Sequence, residues 1–190
     1  MQSFATLRRT MNKLRFGFML AVALAAAGAR ADWAPTTAFV AEGGVTAHGT
    51  YSLTAGVAWP WAWRRVSHSG EWTGTTEAFV SRWSAKVGGE REGFTQVGLL
   101  PVVRYRFDHG RSDWFAEGGI GVSYMDRLYR SDRKEFSTRF NFHDAIGAGR
   151  SFGARREHEL SLRFVHVSNG GIKEPNPGEN FVQLHYARQF

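Results

Sequence analysis

The chain has 190 residues, no cysteine, and 24 Lys+Arg against 17 Asp+Glu, a formal net charge of +7. This length suits one domain with its own core. Without cysteine, a disulfide scaffold, a Cys-ligated zinc site and a thiol nucleophile are excluded. The 43% hydrophobic content excludes a disordered polyampholyte.

Arg8, Arg9, Lys13 and Arg15 precede an uncharged run from Phe16 to Gly28, followed by Ala29-Arg30-Ala31 and Asp32. A basic stretch, an apolar stretch and a small-x-small site, in that order, predict a secretory signal peptide over 1–31. The apolar run is shorter than the ~20 residues a membrane-crossing helix needs. Five of the 24 basic residues and none of the 17 acidic ones precede Asp32, so the expected mature domain, 32–190, carries net +2. No basic patch of nucleic-acid type is then expected.

Beyond Asp32, apolar and polar residues alternate with period two, the strand signal. Eight strands are predicted, at 37–46, 50–62, 71–83, 94–107, 113–126, 135–150, 157–169 and 180–190. On the second, Tyr51, Leu53, Ala55 and Val57 share a face. On the fourth, Val97, Leu99, Val103 and Tyr105 oppose Gln96, Arg104 and Arg106. On the fifth, Trp114, Ile120, Val122 and Tyr124 oppose Glu117 and Ser123. On the sixth, Phe136, Phe140 and Phe142 oppose Arg139, Asn141 and His143. Polar and Gly-rich breaks separate them, including Lys86–Gly93, Asp126–Lys134 and Asn169–Glu179.

A soluble β-sandwich and a transmembrane barrel both fit this pattern. Strands of ten residues or more match a tilted membrane crossing rather than the usual five or six. Aromatics at strand ends (Trp59, Trp61, Tyr105, Phe107, Tyr124) match interfacial girdles. The terminal Phe190 resembles the C-terminal signature of bacterial outer-membrane barrels. The expected fold is therefore all-β, an eight-stranded antiparallel transmembrane β-barrel of the bacterial outer membrane. An eight-stranded interior is filled by side chains, so Arg104, Arg106, Glu117, Arg139 and Arg163 are expected to pair inside it.

Leu160, Leu162, Phe164, His166 and Ser168 share one face of the seventh strand, and Ser161, Arg163, Val165 and Val167 share the other. The first set faces lipid. His166 and Ser168 lie about 7 Å apart along the backbone, close enough for imidazole and hydroxyl to meet. With both termini periplasmic, they lie near the outer end of that strand. The turn formers Gly170-Gly171 and Pro175-Asn176-Pro177-Gly178 can fold the following loop back, returning Glu174 and Glu179 as acids for a Ser-His-acid arrangement. Asn169 and nearby N–H groups could hold an oxyanion. A His-x-Ser pair alone is also what chance would place at a barrel rim.

The run from Arg163 to Asn180, RFVHVSNGGIKEPNPGEN, closely resembles the C-terminal signature of the lipid A 3-O-deacylase (PagL) family. The resemblance implies an eight-stranded outer-membrane barrel with a Ser-His-Glu triad facing lipid, which hydrolyses the ester-linked acyl chain at position 3 of the lipid A glucosamine. It implies His166 as general base, Ser168 as nucleophile and Asn169 as a residue needed for activity. Glu179 is taken as the acid and Glu174 as second choice; in one family member the acid falls one position later, where this chain has Asn180. Expected partners are lipid A of lipopolysaccharide and the outer membrane, with a homodimer left open. No metal ion or organic cofactor is implied.

Gly149-Arg150-Ser151-Phe152-Gly153 matches G-x-S-x-G but lacks the strand-turn-helix context of a nucleophile elbow, and is read as leading into a periplasmic turn. His143 and His185 are read as inward hydrogen-bonding residues. Residues 127–134, which carry Arg127, Arg130, Arg133 and Lys134, are read as periplasmic. Two other functions stand beside the deacylase: a non-enzymatic barrel for adhesion or membrane integrity, and a barrel acting on glycerophospholipids.

Overall fold

The computed structural model describes residues 36–190; the expected signal peptide lies outside them. The strands are β1 (Ala38–Thr46), β2 (Tyr51–Val66), β3 (Gly70–Val87), β4 (Glu90–Phe107), β5 (Trp114–Met125), β6 (Phe140–Phe152), β7 (His158–Ser168) and β8 (Glu179–Gln189). They form a closed barrel in sequence order, every neighbour pair antiparallel, with β8 returning to β1. Closure pairs every edge, as a sheet in hydrocarbon must.

Three boundaries differ from the sequence reading, and the first is the end of β2, which runs to Val66 rather than 62. The break at Lys86–Gly93 shrinks to Gly88-Gly89, whose φ values of 61° and 87° suit a tight hairpin. Its charged flanks stay paired as strand, because polarity there marks exposure rather than a turn. β6 starts at Phe140 rather than 135. Phe136 instead folds into the lumen and is 3% exposed.

The outward face is apolar: Phe39, Leu53, Val80, Ile146, Leu162 and Leu184 are exposed. Each such side chain gains ~1.5–3 kcal/mol on leaving water, so hydrocarbon is its natural surround. Exposed aromatics ring both ends, with Phe107, Trp114 and Phe152 at one and Tyr51, Tyr124 and Phe140 at the other.

The lumen holds a charge network. Arg163 donates to Glu42, Glu77 and Glu117 at 3.0, 2.8 and 2.8 Å. Arg104 bridges Glu117 and Glu159 at 2.8 and 2.6 Å, and Arg106 reaches Glu159 and Ser151. Ser151 is fully buried and belongs to this network, while the chain turns at Gly153 into another strand, so no nucleophile elbow forms. His143 and His185 point inward. Glu42, Glu77 and His185 bring ligand atoms within 4.8 Å of one another, but Arg163 already bonds both carboxylates. Arg139 departs from the sequence reading: it precedes β6, is exposed, and stacks on the outward Tyr124 ring. Above the network, Trp83, Phe94, Tyr129, Phe136, Val167 and Phe181 plug the lumen.

The termini meet at one end, where Phe190 N–H bonds Thr37 O. The connections 126–139 and 169–178 are the longest and share the opposite end. Short turns are periplasmic and long loops extracellular in such barrels, so residues 127–134 are extracellular. This corrects the sequence reading. A connection after an odd-numbered strand lies opposite the termini, and this one follows β5.

Arg163→Met leaves three lumen carboxylates without their shared cation. Removing one partner of a buried pair costs about 3–5 kcal/mol. The variant should unfold at clearly lower urea concentration, read from the heat-modifiable band of the folded barrel on a gel. An unchanged midpoint contradicts this role.

Candidate active site

The faces of β7 are as the alternation predicts. Leu160, Leu162 and Phe164 are exposed, and Ser161, Arg163, Val165 and Val167 are buried. His166 and Ser168 follow on the outward set. His166 Nε2 lies 3.0 Å from Ser168 Oγ, and Nδ1 lies 2.6 Å from Asn180 Oδ1. Asn180 is the cross-strand partner of His166 on β8. Because its carbonyl oxygen can only accept, it fixes the proton on Nδ1 and leaves the Nε2 lone pair facing the hydroxyl. That tautomer can take a proton from serine.

Glu179 does not meet His166. On a strand, neighbouring residues face opposite sides, so Asn180 points outward while Glu179 is 1% exposed and points into the lumen. Its carboxylate accepts from the Tyr129 hydroxyl at 2.9 Å and from Lys134 Nζ at 3.0 Å. Burial, together with the adjacent Glu179, pushes the Tyr129 pKa up, so this hydroxyl stays a donor. Glu174 is exposed and accepts from the Asn176 N–H within its own loop. Of the three carboxyl or carboxamide groups weighed from sequence, the one brought to His166 is the amide.

The loop 169–178 folds back as its turn residues predict. Asn169 is 2% exposed and staples it. Its Nδ2 donates to Ser137 Oγ and Lys173 O, its Oδ1 accepts from Gly171 N–H, and its own N–H bonds Asn176 Oδ1. The Asn169 side chain is thus spent on the loop rather than aimed at an oxyanion. Gly178, at φ 59°, sits against the imidazole, where an added Cβ would come within 2.7 Å of His166 Cε1. Lys134 Nζ holds the Gly178 carbonyl at 2.8 Å, which ties the 126–139 loop to the site.

Sequence reasoning missed three contributors. Lys134 falls in the segment 127–134 read as periplasmic, and Ser137 in the sixth strand expected over 135–150. Asp144 was overlooked, yet it is the cross-strand partner of His166 on β6; its signal was an acid at a lipid-facing position between Phe142 and Ile146. Asp144 and His166 line one end of an outward groove of about 890 Å³. The rest of the groove is largely apolar, with Leu99, Val103, Val122, Ile146 and Phe164 as walls and Gly118 leaving the sheet bare between them. A hydrocarbon chain fits such a surface.

Residues 47–189 match the family described as lipid A 3-O-deacylase (PagL). The chain is similar to the lipid A deacylase PagL of Bordetella bronchiseptica, with 33% identity over 187 residues covering 94% of this chain and 97% of the relative. It is also similar to the lipid A deacylase PagL of Pseudomonas aeruginosa, with 32% identity over 145 residues covering 75% and 80%. A crystal structure of the outer-membrane enzyme PagL superposes with TM-score 0.70 at 28% identity, over 80% of this chain and 99% of that one. The chain therefore belongs to the lipid A 3-O-deacylase (PagL) family of outer-membrane β-barrel enzymes.

Proposed function

We propose that this protein hydrolyses the 3-O-linked 3-hydroxyacyl ester of lipid A in the outer leaflet, with Ser168 as nucleophile, His166 as base and Asn180 in the acid's place. One observation carries the reading: a Ser-His pair at hydrogen-bond distance, with the far imidazole nitrogen on the Asn180 carbonyl oxygen, on the lipid-facing wall beside an apolar groove. The acyl chain lies in the groove and brings its ester carbonyl to Ser168. Ser168 Oγ bonds the carbonyl carbon as its proton passes to His166 Nε2. The Asn169 and Gly171 N–H groups are held by loop side chains, which leaves the Gly170 N–H as the backbone donor we assign to the oxyanion. The tetrahedral intermediate collapses, the C–O bond to the sugar breaks, and His166 returns the proton to the departing sugar oxygen. Water, deprotonated by His166, then cleaves the acyl-enzyme to free fatty acid and regenerates Ser168.

Asn180 orients the imidazole but supplies no full negative charge to the imidazolium, unlike a carboxylate. Asp144, across the strand pair on the other side, is the acidic group nearest in register. Glu179 acts through position: clamped by Tyr129 and Lys134, it fixes the start of β8 and so the next residue, Asn180. The dyad and its orienting amide come from a single chain, so the activity needs no second copy; a homodimer would be an assembly of complete sites.

Lipid A from cells expressing the wild type should lose one 3-hydroxyacyl mass, and cells expressing Ser168→Ala should not. Equal loss in both, or loss in neither, rejects the mechanism. Asn180→Ala should lower kcat about 10- to 100-fold by loosening the imidazole, while Glu179→Gln, which keeps the shape and a hydrogen-bonding terminus, should fall less than tenfold. The reverse order would return the acid's role to Glu179. Lys134→Met should lower kcat with KM little changed and folding intact on the heat-modifiability gel, and Lys134→Arg should recover part of the loss.

A further inference from the structure

Three arginines stand in a row above the groove. Arg82 on β3 faces outward, pairs in register with Thr95 of β4, and donates to its hydroxyl at 2.8 Å. The Asp126 N–H bonds Thr95 O, and the adjacent Arg127 donates to Gly93 O at 2.9 Å. Arg139 completes the row: its carbonyl accepts the Met125 N–H, its Nε donates to Met125 O at 2.8 Å, and its guanidinium lies 4.7 Å over the Tyr124 ring. All three are exposed. Neither Arg82 nor Arg139 forms an ion pair among the described residues, and Arg127 has only Asp126 at 3.8 Å. Stacking and one Nε bond fix the Arg139 guanidinium, leaving its two terminal nitrogens for a ligand.

Register gives the position. Ser168 pairs with Phe142, which pairs with Val122, a wall of the groove. Tyr124 lies two residues further out on the same face, about 7 Å along the strand and two strands, roughly 10 Å, to the side. An acyl chain in the groove with its ester at Ser168 therefore projects its sugar toward Arg139. The sugar carries anionic phosphate, and a planar guanidinium is suited to bidentate phosphate binding.

We propose that Arg139, with Arg82 and Arg127 flanking it, binds the phosphate of the lipid A headgroup and sets the enzyme's preference for phosphorylated substrate. This rests on the deacylase reading. In mixed micelles, the wild type and Arg139→Gln are assayed on lipid A and on the same lipid A stripped of phosphate. Binding of both lipids is measured in parallel on the Ser168→Ala barrel, with and without Arg139→Gln. The wild type should prefer the phosphorylated lipid in kcat/KM. Arg139→Gln should cut that preference about tenfold, the loss of one charge-assisted contact, and the binding ratio should fall in step. Adding Arg82→Gln and Arg127→Gln should bring the ratio to about one. A preference unchanged by Arg139→Gln, in turnover or in binding, overturns the proposal. A wild type that deacylates neither lipid overturns the deacylase reading instead, and the binding ratios still decide the role of Arg139.

Discussion

A closed sheet between two surroundings gives each side chain only two destinations, lipid or lumen, and successive residues must alternate between them. Everything else in this structure follows from that constraint. Arg163 can sit in a buried network of three carboxylates because its neighbours Leu162 and Phe164 both face out. His166 and Ser168 share the lipid side because they are two apart, and the same spacing brings imidazole to hydroxyl. The third member of the site comes from the next strand through cross-strand pairing, so its identity depends on register to the single residue. At 179 a side chain enters the lumen; at 180 it reaches the imidazole.

Alternation made the barrel legible. All eight strands, the inward His143 and His185, and the outward His166 and Ser168 follow from period two in the sequence. The acid did not. Residue chemistry pointed to Glu179, the carboxylate expected of a triad, but register sends it to Tyr129 and Lys134 and gives His166 an amide. Pairing register is a relation between strands, and the sequence of one strand does not contain it. The 126–139 loop failed for a related reason. Phe136 continues the alternating pattern of β6, yet the lumen needs a plug, and burial beside Trp83 and Tyr129 outweighs extending the strand.

That plug also organises the site. The loop that contributes Tyr129 and Phe136 to the lumen sends Lys134 to the Gly178 carbonyl and Ser137 to Lys173 and Asn169. Loop 169–178 is thereby held from both sides: by its own Asn169 staple and by a neighbour anchored in the barrel. Gly178 can then pack directly on the imidazole. Ser168 faces outward yet is only 8% exposed, and the two interlocked loops supply the order that a deep cleft gives a soluble hydrolase.

The central claim is that Ser168, activated by His166 on the lipid-facing wall, forms the acyl-enzyme. Treating the folded barrel in detergent with a long-chain alkyl fluorophosphonate tests it without relying on turnover. Peptide mass spectrometry should find one adduct, on Ser168, and none in the His166→Ala barrel. Labelling at another serine, or labelling of Ser168 that persists without His166, would contradict the account.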